Sequence, residues 1–313
     1  MAAKHSWFSP FFVGRAKAAL TRRRASPVWP LIVDRVPTSR RRIRAIAEKR
    51  ANRWYYRRLA PRYLAAYEAA GELTELQEYL GDRFDQRKLW NYQDEVEREE
   101  AAAPDERTFY RTSEAYLYDL TVFALSCTKL PYHSDLERLV APGARVLDYG
   151  CGIGSDGLRL IGHGYQVEFA DFDNPSTRYL RWRLKRRDIK ATVHNVEREV
   201  PSEFDVVYCF DVVEHVDDPF EFLAKLEQLA RLVVVNFVGP APGDTHLHKP
   251  LDVSALLDYV ERRELVHYRL YHGRSHLVAY RGSPATSPAG SRLERRLGPL
   301  RGKLEARVSA LYP

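Results

Sequence analysis

The chain of 313 residues has a hydrophobic content of 45% and a net charge of +7 at pH 7, which predicts a globular protein with a substantial core. Cys127, Cys151 and Cys209 are too few and too scattered for a disulfide framework or a zinc cluster, which favours reduced thiols in the cytoplasm. No apolar run reaches the roughly 18 residues of a transmembrane helix, and the first residues lack the pattern of a signal peptide.

The positive charge is concentrated at the two ends of the chain. Residues 1–60 contain 16 Lys and Arg against Asp34 and Glu48, and residues 291–313 carry a net charge of +4. Residues 61–290, by contrast, carry a net charge of −11. Basic ends suit an anionic partner, either nucleic acid or a membrane surface, and they equally suit a role in solubility.

Residues 1–140 are predicted to be helical, without a strand. Prolines divide the first forty residues into short segments, and from Ser39 to about residue 70 apolar residues recur at helical spacing. A further helix is predicted to begin after Thr112 or Ser113 and to end before Pro131. We interpret this basic helical region as a cover for an active site.

At residue 144 the pattern changes to short apolar strands that alternate with helices. The strands are predicted at 144–150, 165–173, 190–196, 203–211, 231–238, 264–272 and 275–281, and the helices at 155–164, 176–188, 219–230 and 252–263. Such alternation indicates parallel pairing with helices on both faces, whereas the last two strands predict an antiparallel hairpin at the sheet's edge. Residues 141–282 therefore predict an α/β domain with a seven-stranded, mostly parallel sheet.

Residues 283–313 are predicted to be a linker followed by a basic amphipathic helix. A stretch rich in Gly, Pro and Ser comes first. Six apolar residues then recur at spacings of three and four: Leu293, Leu297, Leu300, Leu304, Val308 and Leu311. Gly298 and Pro299 weaken this helix.

The run "DYGCGIG" after the first predicted strand indicates a ligand. Gly150, Gly152 and Gly154 leave the backbone bare at the carboxyl end of a strand, where a glycine turn brings N–H groups close to a bound molecule. Asp171 ends the second strand, where a carboxylate can accept both hydroxyls of a ribose. We expect no third helix-packing glycine at the usual spacing, and its absence favours an adenosine ligand without a pyrophosphate.

The stretches "VLDYGCGIGSDGL", "VEFADFDNPS" and "EFDVVYCFDVVEHVDDPFEFLAKL" resemble motifs of the class I S-adenosylmethionine-dependent methyltransferases in order and spacing. This resemblance covers about residues 140–281 and implies a Rossmann-like fold, S-adenosyl-L-methionine as the cofactor and methyl transfer as the reaction. The cofactor-binding residues that it implies are Asp148, Gly150, Gly152, Gly154, Asp171, Phe172, Asn195, Val196, Phe210 and Asp211. Asp148 also suits a role in capping the strand, and Asn195 only approximates the family's usual Asp.

His215, beside Glu214 in "DVVEHV", is the predicted catalytic base. Alternatively, the pair ties the start of a helix to the neighbouring loop. Asp211, Glu214 and His215 are also similar to the Glu-x-x-Glu-His metal site of ubiquinone-biosynthesis O-methyltransferases and small-RNA 2′-O-methyltransferases, with His246 or His248 as a further ligand. Because Asp replaces Glu at the first position, we expect no metal, and we predict that His246 and His248 bind the acceptor.

Aromatic residues ahead of the sheet are predicted to reach the acceptor. Tyr116 and Tyr118 are the candidates, although their helical spacing also suits a place in the core.

The predicted function is a cytoplasmic methyltransferase that acts on oxygen or nitrogen of a small metabolite or sugar-like acceptor. The alternatives are an RNA methyltransferase that binds phosphates through residues 1–60, an enzyme on a lipid-linked acceptor at the membrane surface, and a cofactor-binding scaffold without activity. The sequence does not indicate the oligomeric state.

Overall fold

The computed structural model describes residues 71–126, 128–239, 247–271 and 273–284. The basic segment of residues 1–60 and the tail helix predicted over 293–311 lie outside these ranges, as do Cys127 and His246. Among the described helices, none is long and apolar enough to span a membrane.

The described residues fall into two compact units. The helical unit consists of the described residues up to Leu130 together with 174–179, and the sheet unit consists of 131–173 and the described residues from Leu180 onward. The helix that begins at Pro175 contributes its first residues to the helical unit and the remainder to the sheet unit.

The helical unit is built from short helices, and among the described ones two have an aspartate cap. Its described helices are α1 (Glu72–Leu80), α2 (Gln86–Trp90), α3 (Tyr92–Ala102), α4 (Glu106–Thr112) and α5 (Ala115–Ser126), with a 3₁₀ turn at Gly81–Arg83. Asp85 and Asp105 each accept a hydrogen bond from a backbone N–H in the first turn of α2 and α4, respectively. Leu76, Phe109 and Leu117 are buried at its centre.

The sheet unit contains a mixed sheet. Its described strands are β1 (Arg145–Tyr149), β2 (Gln166–Asp171), β3 (Val193–Asn195), β4 (Phe204–Cys209), β5 (Ala230–Val238), β6 (Arg263–Tyr271) and β7 (Ser275–Pro284). Its helices are α6 (Leu130–Leu139), α7 (Ser155–Gly162), α8 (Pro175–Arg186), α9 (Pro219–Leu229) and α10 (Val253–Glu261).

The seven strands lie in the order β3-β2-β1-β4-β5-β7-β6. The pairings from β3 through β5 are parallel, and β7 is antiparallel to both β5 and β6. The predicted seven-stranded, mostly parallel sheet with a closing hairpin is thus confirmed. Because the strand order reverses direction at β1 and β4, a ligand crevice is expected at the carboxyl ends of these two strands.

Successive residues of the central strands enter two apolar clusters, one on each face of the sheet. Val206 and Val234 belong to one cluster, and Val207, Val233 and Val235 belong to the other. Side chains alternate between the faces of a strand, and here both faces are covered. The central strands are therefore continuous apolar runs rather than alternating ones.

One buried carboxylate connects the edge strand β6 to α6. Asp135 of α6 is 1% exposed and accepts hydrogen bonds from Tyr271 Oη at 2.6 Å and His267 Nε2 at 2.9 Å. Its other oxygen accepts from Arg269 Nη1 at 3.0 Å and Arg138 Nη1 at 2.7 Å. Burial alone would raise the pKa of Asp135, but these hydrogen bonds and the nearby positive charge outweigh burial and hold the pKa below its ordinary value.

Replacing Asp135 with Asn is expected to lower the free energy of unfolding at pH 7 by about 2 kcal/mol, because an amide cannot accept from all four donors. The pKa of Asp135 is lower in the folded than in the unfolded state. Its contribution is therefore present above the ordinary carboxyl pKa of 3.8 and is lost as the pH falls through the lowered folded pKa. Urea denaturation between pH 7 and pH 2 measures the free energy of unfolding of both proteins. The values for wild type and Asp135→Asn should become equal as the pH is lowered.

Arg138→Gln is the matched control. The Arg138 side chain is 67% exposed, so its removal should change the free energy of unfolding by less than about 1 kcal/mol. A difference between wild type and Asp135→Asn that stays constant over the whole pH range would contradict the role given to the carboxylate.

Candidate functional site

The glycine turn after β1 has a backbone that disfavours side chains. The φ angles of Gly150, Gly152 and Gly154 are 75°, 52° and 74°, which side chains rarely adopt. A Cβ on Gly150 would lie 2.5 Å from Val212 Cγ2, and one on Gly154 would lie 2.3 Å from Leu180 Cδ1. The positive φ angles and these contacts together disfavour side chains at Gly150 and Gly154, before any ligand is considered.

A third glycine packs α7 against the sheet. A Cβ on Gly157 would lie 2.3 Å from the ring of Phe169 and 2.9 Å from Asp148 Oδ2. Together with Gly152 and Gly154, this residue completes a G-x-G-x-x-G spacing. The expectation that no third helix-packing glycine is present was wrong, because Gly157 packs the helix and lies outside the alternating Gly-x-Gly-x-Gly pattern.

Asp148 joins the end of β1 to the start of α7. Its carboxylate is buried and accepts the backbone N–H of Gly157 at 3.1 Å. This hydrogen bond caps the first turn of α7, whereas the alternative considered for Asp148 was a cap on the strand. Contact with a cofactor stays a prediction.

Arg183 lies beneath the glycine turn, and sequence reasoning missed it. Its side chain on α8 is fully buried, and Nη1 donates to the Ile153 carbonyl at 2.8 Å and to Ser155 Oγ at 2.9 Å. Arg183 shares a helical face with the buried residues Leu180 and Leu184. The signal in the sequence is the position of Arg183 between apolar residues on one helical face. The other basic residues of α8 obscure this signal, because they predict a helix that is basic on all sides.

Asp171 at the end of β2 is held in a fixed orientation. Its two carboxylate oxygens accept the backbone N–H groups of Gly152 and Phe172, each at 2.7 Å. Burial raises the pKa of Asp171, and these two hydrogen bonds partly offset that effect. Each carboxylate oxygen has further acceptor capacity, so two hydroxyl groups of a ligand can also bind.

The other residues predicted to bind the adenosine part follow β2 and β3. Asn195 ends β3 beside Asp171 in the parallel register, and the Val196 N–H donates to the Asp171 carbonyl at 3.0 Å. Phe172 directly follows Asp171 and is half-buried. The structure thus brings Asp171, Phe172, Asn195 and Val196 together at one edge of the sheet.

The turn after β4 contains Phe210 and Asp211. The buried Phe210 ring packs on Tyr132, with ring centroids 5.4 Å apart. Asp211 has a φ of 57°, and its N–H donates to Asn236 Oδ1 at 2.8 Å while its carboxylate accepts from Asn236 Nδ2 at 2.7 Å. Sequence reasoning also missed Asn236, although a polar residue in the apolar run "VVVNFV" was a visible signal.

Three further predicted site residues meet next to this turn. A 3₁₀ helix at Val213–His215 carries Glu214, which is buried, and His215. One ligand atom from each of Glu214, His215 and His248 lies within 4.8 Å of the other two. The rings of His215 and His248 have centroids 4.9 Å apart. We call these three residues the acid–histidine cluster; His246 lies outside the described residues.

The tautomer of His215 follows from its hydrogen bond. His215 Nδ1 lies 3.2 Å from the Leu247 carbonyl, and because a carbonyl only accepts, the proton is on Nδ1 and the lone pair on Nε2. Burial, and next the charge of His248, lower the pKa of His215 to about 4. The imidazole is neutral at pH 7 and able to accept a proton or a cation at Nε2.

The two predicted acceptor tyrosines belong to the helical unit. The Tyr118 hydroxyl accepts the Asp85 N–H at 3.0 Å, and its ring is buried. The Tyr116 ring packs on Tyr110, with centroids 5.8 Å apart, and burial raises its pKa. Their predicted contact with an acceptor stays a prediction.

Residues 126–267 match a family model described as a methyltransferase domain. The ubiquinone biosynthesis O-methyltransferase of Xanthomonas campestris pv. campestris (strain B100) is 30% identical over 113 residues, which are 34% of this chain and 46% of that protein. The protein of the same name from Aromatoleum aromaticum is 33% identical over 94 residues, covering 28% and 40%. The chain therefore spans less than half the length of these relatives.

Solved structures of methyltransferases are also similar. The magnesium protoporphyrin IX methyltransferase of Synechocystis PCC 6803 with bound SAH has a TM-score of 0.43 and 17% identity, over 66% of this chain and all of that one. An O-methyltransferase family protein from Burkholderia thailandensis has a TM-score of 0.44 and 14% identity, over 63% and 72%.

Gly157→Ala is expected to lower the free energy of unfolding by about 1–3 kcal/mol, because the added methyl would overlap the Phe169 ring. Gly162→Ala in the same helix is the control, since nothing lies within 4 Å of its added Cβ. This change should be neutral or stabilise the protein by about 0.5 kcal/mol. Urea denaturation measures both, and equal effects would contradict the packing role of Gly157.

Proposed function

We propose that this chain, whose residues 126–267 belong to the class I S-adenosylmethionine-dependent methyltransferases, transfers a methyl group to a hydroxyl oxygen of a small-molecule acceptor. The family that the motifs indicated is confirmed for this domain. Oxygen as the acceptor atom is supported by relatives named O-methyltransferases. The observation that carries the proposal is the acid–histidine cluster after β4, since a hydroxyl must lose a proton when it is methylated.

The residues of the carboxyl edge fit the cofactor. When bound, S-adenosylmethionine supplies a methyl group made reactive by the sulfonium. Asp171, with its carboxylate oriented by two N–H groups, would accept the two ribose hydroxyls. Phe172, Asn195 and Val196 would flank the adenine. The glycine turn would lie against the methionine part.

His215 would take the proton of the acceptor hydroxyl. The acceptor oxygen would take the methyl group that the bound cofactor would supply, the cofactor would keep the electron pair of its carbon–sulfur bond, and the hydroxyl proton would go to His215 Nε2. Since Nδ1 faces the Leu247 carbonyl, Nε2 is the only ring nitrogen with a lone pair. His248 would orient the acceptor, and the carboxylate of Glu214 would stabilise the protonated ring.

A divalent ion in the acid–histidine cluster is a second candidate. The specific observation in its favour is that three ligand atoms lie within 4.8 Å of one another. One carboxylate and two imidazoles fit such an ion, and the Leu247 hydrogen bond would fix His215 as metal-bound histidines usually are. The ion would lower the pKa of the acceptor hydroxyl.

A sugar-like acceptor stays a prediction, as do contacts of residues 1–60 with nucleic acid or a membrane. The relatives' names favour an acceptor of the kind found in ubiquinone biosynthesis. Phenolic hydroxyls are therefore the first acceptors to test, and sugar hydroxyls the second.

Asp171→Ala is expected to weaken binding of S-adenosylhomocysteine by about 100-fold, because two charge-assisted hydrogen bonds are lost. Calorimetry measures the dissociation constant. Asp173→Asn, an exposed acid two residues away that pairs with Arg181, is the control and should bind as wild type does. Unchanged affinity in Asp171→Ala would contradict the cofactor site.

His215→Ala is expected to lower kcat by at least about 100-fold while affinity for S-adenosylhomocysteine changes less than threefold. Transfer from methyl-labelled cofactor to phenols, sugars and matched amines measures the activity. His163→Ala, at an exposed histidine, is the control.

Chelation separates the two versions of this site. Activity that a chelator removes and that added Mg²⁺ or Zn²⁺ restores would support the ion, whereas resistance to chelation would support His215 as the base. Wild-type protein that binds S-adenosylhomocysteine and methylates no acceptor would instead support the scaffold.

A further inference from the structure

We propose that Asn236 is a positioning residue that holds the turn of residues 210–212 in place for both cofactor binding and catalysis. The inference rests on the proposed function, and nothing in the sequence motifs assigns a role to Asn236. Two observations support it: the buried hydrogen bonds of Asn236, and the contacts that residues 210–212 make with both parts of the proposed site.

Asn236 bonds to both the backbone and the side chain of Asp211. Its Oδ1 accepts the Asp211 N–H at 2.8 Å, and its Nδ2 donates to Asp211 Oδ1 at 2.7 Å. Asp211 has a φ of 57°, a conformation that costs a residue with a side chain about 1–2 kcal/mol. The two bonds from Asn236 offset this cost and fix the direction of the carboxylate.

The orientation of the Asn236 amide is itself fixed. The residue is fully buried on β5, and the second Nδ2 hydrogen is donated to Ser275 Oγ at 3.0 Å. Ser275 also accepts from the Tyr132 hydroxyl at 2.9 Å. Because both amide hydrogens have acceptors, a flipped amide would place Oδ1 where Asp211 Oδ1 requires a donor.

The turn that Asn236 holds borders both halves of the proposed site. On one side the Val212 side chain packs on Gly150, where it fills the space that a Cβ would occupy. On the other side the His215 N–H donates to the Val212 carbonyl at 2.9 Å, so the 3₁₀ helix with Glu214 and His215 starts from the same turn. A change at Asn236 is therefore expected to alter cofactor affinity and kcat together.

Asn236→Asp tests this directly. The new carboxylate cannot donate to Asp211 and faces a second negative charge. The dissociation constant of S-adenosylhomocysteine, measured by calorimetry at 15 °C, is expected to rise at least 10-fold, and kcat with an acceptor found for the wild type is expected to fall at least 10-fold. If this variant does not fold, Asn236→Ala is measured instead, with the same expectation.

Exchange of the two side chains is the rescue. In Asp211→Asn combined with Asn236→Asp, the new amide at 211 donates to the carboxylate at 236, which also accepts the backbone N–H and the Ser275 hydroxyl. The bond from the backbone N–H keeps its direction, and the two bonds that Asn236 Nδ2 donated are reversed, so every polar atom keeps a partner. The double variant should bind S-adenosylhomocysteine within threefold of the single variant Asp211→Asn, which keeps one acceptor oxygen at position 211 and replaces the other with an NH2 group.

Tyr132→Phe is the structural control. It removes the hydrogen bond from the Tyr132 hydroxyl to Ser275 Oγ and keeps the ring against Phe210. This change should lower Tm and leave the affinity for S-adenosylhomocysteine unchanged. A purely structural Asn236 predicts the same pattern for Asn236→Asp, and that result would overturn the proposal, as would a double variant no better than Asn236→Asp alone. Binding is read without an acceptor, so failure to find any methyl transfer would refute the proposed function and leave this test valid.

Discussion

The bare backbone of the glycine turn is the constraint around which the sheet unit is built. Val212 occupies the place of a side chain at Gly150, and Leu180 does so at Gly154. Asp171 receives the N–H of Gly152 between them. The ends of β1, β2, β4 and the helix α8 are therefore held in register by one turn. Since the positive φ angles and these contacts together disfavour side chains at Gly150 and Gly154, the turn keeps a bare backbone.

The fold and much of this edge could be predicted from the sequence, because strands covered on both faces appear as apolar runs and turns appear as glycines. The missed residues share a different property. Arg183 and Asn236 are polar side chains on apolar elements, and Gly157 is a glycine inside a helix. Each was visible as an exception to its local pattern. The sequence does not show which residue each of these polar side chains contacts. Asn236 bonds to Asp211, 25 residues away, and Arg183 bonds to Ile153, 30 residues away.

The acid–histidine cluster could likewise be predicted from the sequence only in part. Glu214 and His215 are neighbours in the chain, so their proximity needs no structure. The third member, His248, follows β5 in a loop. By sequence alone, His246 was an equal candidate. Burial explains why the cluster is more than a surface group of polar residues: Glu214 is 2% exposed, and desolvation favours neutral imidazole. A neutral ring with its proton fixed on Nδ1 leaves the Nε2 lone pair open to a proton or a cation.

The antiparallel hairpin gains a role in this arrangement. In a parallel sheet, each strand brings only its carboxyl end to the ligand edge. Because β7 runs against β5, its first residue, Ser275, pairs with Val238 at the carboxyl end of β5. From there Ser275 reaches Asn236 and accepts from Tyr132. A parallel strand in the same place would present its last residues there and its first ones at the far edge. The direction of β7 thus allows the hairpin to orient the Asn236 amide, and through it the turn that borders the proposed site.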